Sequence, residues 1–197
     1  MGHEPTRWGK PCAAMLGSVW MLHQFRLASL GGKDSMSGTF KKMNVPPTFV
    51  SFAITTENAG NIISPEFKQK GNHIYLIKNK IVDNLPDIDY TKREFEYMRE
   101  NILNGKIVSA FTLQYGGIME ALCKMSFGND LGFNVNTAVN LFDYGYASFV
   151  VETTEKLNSE FAVELGVVDD QFIVNGEAID KAACLAAWRG VYGKLYP

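Results

Sequence analysis

The sequence predicts an α+β fold in which helices pack on a layered sheet. Strand-like runs rich in β-branched and aromatic residues alternate with amphipathic helical stretches, and this alternation lacks the strict strand–helix–strand repeat of a parallel α/β protein. The chain has 197 residues, of which 46% are hydrophobic. This length and composition allow one or two domains and a sizeable core.

Few helices and strands are predicted in the N-terminal part of the sequence. Apolar positions at helical spacing predict a helix over 10–26, with Pro11 suited to its first turn. A strand is expected at 27–30, a glycine-rich loop at 31–38, and a second strand at 48–56. One helix and two strands cannot bury a core of their own, so this part resembles the end of a larger domain.

A second unit follows a turn-rich stretch at 57–71 that is typical of a linker. Thr91 and Glu94 suggest a capping box at the start of a charged helix, and Gly105 ends that helix. The predicted strands are 73–79, 107–113, 131–136, 147–154, 162–168 and 171–175, and the predicted helices are 91–104, 118–127, 137–142 and 178–193.

Charge and cysteine usage exclude several classes of protein. With 19 basic and 21 acidic residues and no basic block, nucleic-acid binding is not expected as the main role. Cys12, Cys123 and Cys184 are too widely spaced for a zinc motif and are expected to be reduced thiols.

No run of residues is long and apolar enough to cross a membrane, and the start of the sequence lacks a signal-peptide pattern, so we expect a cytoplasmic protein.

The segment GGKDSMSG, residues 31–38, is the strongest candidate for chemistry. Its glycines allow backbone N–H groups to approach an anion, Lys33 supplies a positive charge, and Asp34 could hold magnesium. It is not a Walker A loop, because Asp34 follows the lysine and Leu27 stands where a glycine is required. A plain turn between two strands remains the alternative.

A second glycine pair, Gly116-Gly117, opens a predicted helix. Its N-terminus could in principle receive an anion, but the residues before it carry no charge, so close packing is the preferred interpretation. His3, His23 and His73 have no second metal ligand at a suitable spacing and are expected to be structural.

Five segments in collinear order resemble a known family, and they span nearly the whole chain. The sequence is similar to the second half of the synthetase region of large-form phosphoribosylformylglycinamidine synthase. The segments are RWGKP at 7–11, LGGKDSMSGTF at 30–40, VPPTFVSFAI at 45–54, GGIMEALCKMSFGND at 116–130 and AAWRGVYGKLYP at 186–197.

The resemblance implies a fold and an activity. The family amidates formylglycinamide ribonucleotide at the expense of ATP, with ammonia that a glutaminase domain draws from glutamine. Its synthetase region contains two aminoimidazole ribonucleotide synthetase-like units. On this basis residues 1–66 are the incomplete end of an N-terminal subdomain, and residues 67–197 are a complete C-terminal subdomain.

The resemblance also implies roles for the residues of segment 31–38. Small-form members carry asparagine at the position of Lys33, and because an ammonium cannot ligate magnesium, the metal role is moved to Asp34. No residue is assigned to catalysis. The assigned residues are Gly31, Gly32 and Lys33 for ATP or phosphate, Ser35 and Ser37 for substrate, and Asp34 for magnesium.

The sequence departs from the family at 111–117. Many relatives have His-Asp-x-Ser-Asp-Gly-Gly there, and in some the first aspartate and the serine belong to an auxiliary nucleotide site. Phe111, Thr112, Gln114 and Tyr115 stand at the four changed positions. Because the carboxylate is missing, we do not expect ATP to bind at this auxiliary site.

Two functions follow as alternatives. The first is a fragment of the ATP- and glutamine-dependent ligase, inactive alone, whose partners are the remaining synthetase subdomains, the glutaminase domain and a small nucleotide substrate. The second is a non-catalytic assembly module that binds synthetase partners. A thiamine-monophosphate kinase or a selenophosphate synthetase is a weaker third possibility, because GKDSMSGT and AAWRG resemble the purine enzyme.

Overall fold

A computed structural model describes residues 5–35, 39–41, 43–44, 46 and 48–195. The chain divides into two compact units, Met1–Asn58 and Ala59–Pro197. The division at Asn58 lies within the predicted linker at 57–71 and before residue 66, where the family resemblance implies a boundary. The assignment of the two units to synthetase-like subdomains stays a prediction.

The first unit contains one long helix and short antiparallel ribbons. Strand β1 pairs with β4, and β2 pairs with β3. Among the described residues of this unit, only Pro11 is buried. The elements are α1 (Pro5–Phe25), β1 (Gly31–Ser35), β2 (Thr39–Phe40), β3 (Met43–Asn44) and β4 (Thr48–Phe52).

Two expectations for this unit are wrong. Residues 27–30 form no strand, and Gly31–Ser35, expected to be a loop, is a strand. The reason is that residues 31–35 pair one by one with residues 48–52. These backbone hydrogen bonds stabilise a strand in a glycine-rich segment that has low intrinsic strand propensity.

The second unit is built on a seven-stranded sheet, and the predicted α+β class is confirmed. The strand order is β13-β12-β9-β11-β5-β10-β8, antiparallel except for the parallel pair β9 and β12. The elements are β5 (His73–Ile77), β6 (Ile81–Val82), β7 (Leu85–Pro86), α2 (Ile88–Leu103), β8 (Ile107–Thr112), α3 (Gly117–Phe127), β9 (Gly132–Val135), β10 (Phe149–Thr153), β11 (Ala162–Asp169), β12 (Phe172–Val174), β13 (Glu177–Ile179) and α4 (Lys181–Leu195).

The central strand β5 is buried on both faces of this sheet. Ile74 and Leu76 belong to one core cluster, which includes α3, whereas Tyr75 and Ile77 belong to a second cluster, which includes Met98 of α2. Because successive side chains of a strand point to opposite faces, α2 and α3 cover opposite faces of the sheet. The unit is therefore layered helix, sheet, helix.

Helix α2 begins earlier than the sequence suggests. Its N-cap is Asp87, whose carboxylate accepts a hydrogen bond from the backbone N–H of Tyr90 at 3.1 Å. Thr91 instead lies inside the helix, where its hydroxyl donates to Asn79 at 2.9 Å, and Glu94 is buried rather than capping. The expected helix at 137–142 is also wrong, because those residues form turns.

A buried carboxylate, that of Glu152 on β10, ties the start of the second unit to its sheet. It accepts hydrogen bonds from the backbone N–H groups of Lys68 (2.7 Å) and Gln69 (3.0 Å), and from the side chains of Asn72 (2.7 Å) and Ser109 (2.9 Å). A buried charge is tolerated when it is hydrogen-bonded in this way. Residues 68–72 are thereby fastened beside the fully buried Phe67.

Glu152→Gln should lower the free energy of unfolding by about 1–3 kcal/mol, because an amide N–H₂ group would replace an oxygen that only accepts hydrogen bonds. Urea denaturation followed by circular dichroism measures the change. Glu155→Gln is the matched control, since Glu155 lies at the surface in an ion pair with Lys106 and should change stability by less than about 1 kcal/mol. Equal effects of the two variants would contradict the role given to Glu152.

Glu94 should make stability depend on pH. Its side chain is fully buried, neither oxygen has a hydrogen-bond partner within the described structure, and burial raises its pKa from 4.5 to about 8. Below pH 4.5 the carboxyl is protonated in both folded and unfolded chains and causes no penalty. As the pH rises from 4.5 to about 8, the unfolded chain ionises first, so the folded state loses stability.

Glu94→Gln should remove this pH dependence. Between pH 4.5 and about 8, the unfolding free energy of the wild type should fall relative to that of the variant by about 1 kcal/mol for each pH unit. Glu96→Gln, at an exposed position of the same helix, is the control and should show no such trend. Parallel pH profiles for wild type and Glu94→Gln would show that the buried carboxyl is not neutral in the folded state.

Candidate functional site

The β1–β4 ribbon of the first unit carries an open depression of about 280 Å³. Four of the residues assigned from the sequence lie along it, and two serines and two apolar residues complete its walls. The lining residues are Ser29, Gly31, Gly32, Lys33, Asp34, Phe49, Val50 and Ser51. The structure therefore brings the glycines, the lysine and the aspartate to one place.

Lys33 and Asp34 point to opposite faces of the ribbon. In the antiparallel register Lys33 pairs with Val50 and Asp34 pairs with Phe49, and successive side chains of a strand alternate in direction. A ligand lying flat on one face would contact either the Lys33 ammonium or the Asp34 carboxylate, but not both. A ligand that contacts both groups must extend over the edge of the ribbon.

The two glycines of the ribbon have different roles. A Cβ atom on Gly32 would lie 2.2 Å from the carbonyl oxygen of Val50, which is far inside contact distance. A Cβ on Gly31 would meet nothing within 4 Å. Gly32 is thus required for the approach of the two strands, whereas Gly31 leaves backbone open to a ligand.

The ammonium of Lys33 contacts its own strand. Its Nζ donates a hydrogen bond to the carbonyl oxygen of Asp34, and the side chain is exposed. An incoming phosphate would replace this contact with the carbonyl oxygen by a hydrogen bond in which both the donor and the acceptor are charged.

Two hydroxyls of the depression were not expected from the sequence. Ser29 Oγ lies 2.8 Å from Ser51 Oγ and donates to the carbonyl oxygen of Gly31 at 3.1 Å. The available signal was Ser51, a polar residue inside the apolar run FVSFAI at 49–54. Both hydroxyls can donate to an anion placed beside Gly31.

The two assigned substrate residues are placed differently. Ser35 ends β1, and its backbone pairs with Thr48. Ser37 lies outside the described residues. Their roles in substrate binding stay predictions.

Asp34 contributes a single carboxylate to a possible magnesium site. Within the described ranges, no group of three or more His, Cys, Asp or Glu side chains comes together as a set of metal ligands. Magnesium usually keeps several waters and binds through one or two carboxylates plus the phosphates of a nucleotide. Asp34 fits that use, and it does not make a metal site without a nucleotide.

The second glycine pair serves packing, as the sequence suggests. Gly117 has φ +65°, and a Cβ there would lie 2.7 Å from the carbonyl oxygen of Leu141. The backbone N–H of Gly116 donates to the carboxylate of Glu120 at 2.8 Å, and the salt bridge with Lys124 lowers the pKa of Glu120. The start of α3 therefore already holds an anionic group from its own first turn.

The changed positions at 111–115 give this region an aromatic character. Tyr115 is 91% exposed and stacks on Tyr144 with ring centroids 5.2 Å apart, and Phe111 lies beneath the ammonium of Lys124. Thr112 and Gln114 are exposed and carry no charge. The expectation that this place binds no ATP stays a prediction.

Comparisons with known proteins identify relatives of this chain. No family model matches it. It is 27% identical over 181 aligned residues to the phosphoribosylformylglycinamidine synthase subunit PurL of Picrophilus torridus, with 78% of this chain and 24% of the relative covered. The expected resemblance is confirmed. The PurL subunit of Thermoplasma volcanium is 24% identical over 165 residues, with 72% and 22% covered.

The chain spans about a quarter of the length of these PurL relatives. Among solved structures, T. maritima PurL complexed with ATP gives a TM-score of 0.48 at 13% identity, covering 66% of this chain and 27% of that one, and the complex with AMPPCP gives the same values. That TM-score is too low to define a shared fold.

Among the described residues, no helix has the length and apolar content that crossing a bilayer requires.

Gly32→Ala should loosen the β1–β4 ribbon, while Gly31→Ala should leave it intact. The clash with Val50 costs about 1–3 kcal/mol of local stability, so amide hydrogens at 31–35 and 48–52 should exchange about tenfold to a hundredfold faster in Gly32→Ala. Hydrogen exchange read by mass spectrometry measures this. Identical protection in the two variants would contradict the assignment of Gly32 to strand contact.

Proposed function

We propose that this chain is part of the ligase that converts formylglycinamide ribonucleotide to formylglycinamidine ribonucleotide in purine biosynthesis, with ATP and glutamine-derived ammonia. Similarity to PurL subunits over 78% of the chain supports the family. The observation that carries the proposal is the depression on the β1–β4 ribbon, where Gly31, Gly32, Lys33 and Asp34 lie together.

The residues of the ribbon would act by binding and orientation. Lys33 would hold a phosphate of ATP as a point charge, and the backbone beside Gly31 would approach it without steric hindrance. Ser35 and Ser37 would donate hydrogen bonds to the substrate phosphate. Asp34 would contribute one ligand to a magnesium ion bound with the nucleotide, and magnesium would there neutralise phosphate charge.

The chemistry of the amidation would depend on other parts of the enzyme. The described lining of the depression has no histidine or cysteine, and His23 and His73 lie on α1 and β5. By the family resemblance, general acid–base and nucleophilic steps would come from the remaining synthetase subdomains and from the glutaminase domain. These are the proposed partners, in the cytoplasm, together with the nucleotide substrate.

A second candidate function is favoured by the exposed apolar side chains of the first unit. Large apolar side chains on α1 and β4 are between 38% and 62% exposed, which is typical of a surface that binds another protein. They are Trp8, Met15, Leu16, Val19, Phe49, Val50 and Phe52. Under this alternative the chain is an assembly module that binds synthetase partners without supplying a ligand-binding residue.

Complementation separates the two candidates. The purified chain is mixed with the missing synthetase subdomains and glutaminase, and substrate-dependent phosphate release and amidine formation are measured. The mixture should be active and the chain alone should not. Lys33→Met should reduce the activity of the mixture by about a hundredfold, and Ser35→Ala by about tenfold. Lys156→Met, at a lysine that is 71% exposed, is the control and should retain activity.

Each other outcome has a distinct meaning. Full activity with Lys33→Met and Ser35→Ala, with the complex still formed, would favour the assembly module. Amidation by the chain alone would contradict the proposed need for partners. Failure of the wild-type chain to bind the complementary parts, measured by gel filtration, would overturn both candidates.

A further inference from the structure

Cys123 of α3 and Cys184 of α4 pack against the same buried cluster. We infer that this pair is a site of reversible oxidation, where an intramolecular disulfide fastens the last described helix to the rest of the second unit. The inference is independent of the proposed function. It rests on the packing of the two helices and on the accessibility of the two side chains.

The packing brings the two cysteines to one cluster. Both pack against the same buried side chains, which include Leu122 and Met125 of α3, and the Cys184 thiol is near enough to raise the pKa of Cys123. A second contact lies one helical turn further along each helix, where the rings of Phe127 and Trp188 have centroids 5.2 Å apart. Cys123 and Phe127, like Cys184 and Trp188, are four residues apart and so share a helix face.

A third contact holds the first turn of α4. The ammonium of Lys181 forms an ion pair with the carboxylate of Asp130 at 2.7 Å and donates to the Asp130 carbonyl oxygen at 2.6 Å. The two contacts flank Cys184 along α4 and hold that helix against the end of α3 and the turn that follows it. Proximity of the two cysteines is the first geometric requirement of a disulfide.

Both residues are half-buried, and neither is fully enclosed in the core. Burial, together with the neighbouring Cys184 thiol, raises the pKa of Cys123 to about 12. Because this burial disfavours ionisation of Cys123 and the thiolate is the nucleophile in thiol chemistry, we assign the first attack to Cys184.

The reaction needs a low-molecular-weight disulfide as oxidant. The Cys184 thiolate attacks one sulfur of that disulfide, forms a mixed disulfide and releases one small thiolate. Cys123 then loses its proton as its sulfur attacks the Cys184 sulfur, and the second small thiolate leaves and takes up that proton. Two protein thiols are oxidised, and one small disulfide is reduced to two thiols.

Peptide mapping of the full chain tests the site. The protein is incubated with oxidised glutathione, remaining thiols are alkylated, and a tryptic digest is analysed by mass spectrometry without reduction. The expected result is a linked pair of peptides containing Cys123 and Cys184, with the mass of two hydrogen atoms lost, while Cys12 is alkylated or glutathionylated. Cys12→Ser is the control and should keep the linked pair.

A thermal measurement gives a second readout. In the Cys12→Ser background, oxidation should raise the midpoint of unfolding of the second unit by about 5 °C or more, and dithiothreitol should reverse the rise. Cys184→Ser and Cys184→Ala in the same background should show no such shift. Recovery of Cys123 and Cys184 as separately alkylated or separately glutathionylated peptides in the wild-type chain would overturn the inference.

Discussion

The carboxylate of Glu152 organises the second unit. Its four hydrogen bonds join residues 68–72, strand β8 and strand β10, which are separated by up to 84 positions in the chain. A buried anion with fewer partners would be destabilising, so the segment and both strands must be in place together. Glu94 is buried in a different way: its oxygens have no hydrogen-bond partner among the described residues, and burial raises its pKa to about 8, which favours the neutral carboxyl. Two glutamates of one unit are thus buried for different physical reasons.

The first unit depends on backbone geometry more than on burial. Its β1–β4 ribbon places small residues and short polar side chains around one depression, and Gly32 permits the two strands to approach. The alternation of Lys33 and Asp34 across the ribbon limits how a phosphate ligand can be held, because the ammonium and the carboxylate face opposite directions. Under the proposed function, a ligand that uses both side chains would therefore lie over the edge of the ribbon.

Much of the second unit could be predicted from its sequence, because the strands 73–77, 107–112 and 149–153 are apolar runs bounded by turn residues. The start of α2 could not be predicted: Thr91 and Glu94 match a capping box locally, but their burial against the core places them inside the helix. In the first unit, β1 was missed because its order comes from pairing with β4, which is a non-local contact. The pairing of β1 with β4 also brings Ser29 beside Ser51, and this contact is not visible in the local sequence. The glycines, Lys33 and Asp34 are visible there, because they occur together in the segment GGKDSMSG.

The position of β5 at the centre of the sheet has a consequence for biosynthesis. This strand leaves the ribosome before its neighbours β10 and β11, whose residues follow about 75 to 90 positions later, and both of its faces are apolar. Until those neighbours are made, Ile74, Tyr75, Leu76 and Ile77 have no sheet to join, and closing such distant pairs is slow. The nascent chain therefore exposes this apolar segment while about 75 to 90 further residues are made, and its yield in a cell should depend on chaperones that shield the segment more than on the final stability of the sheet.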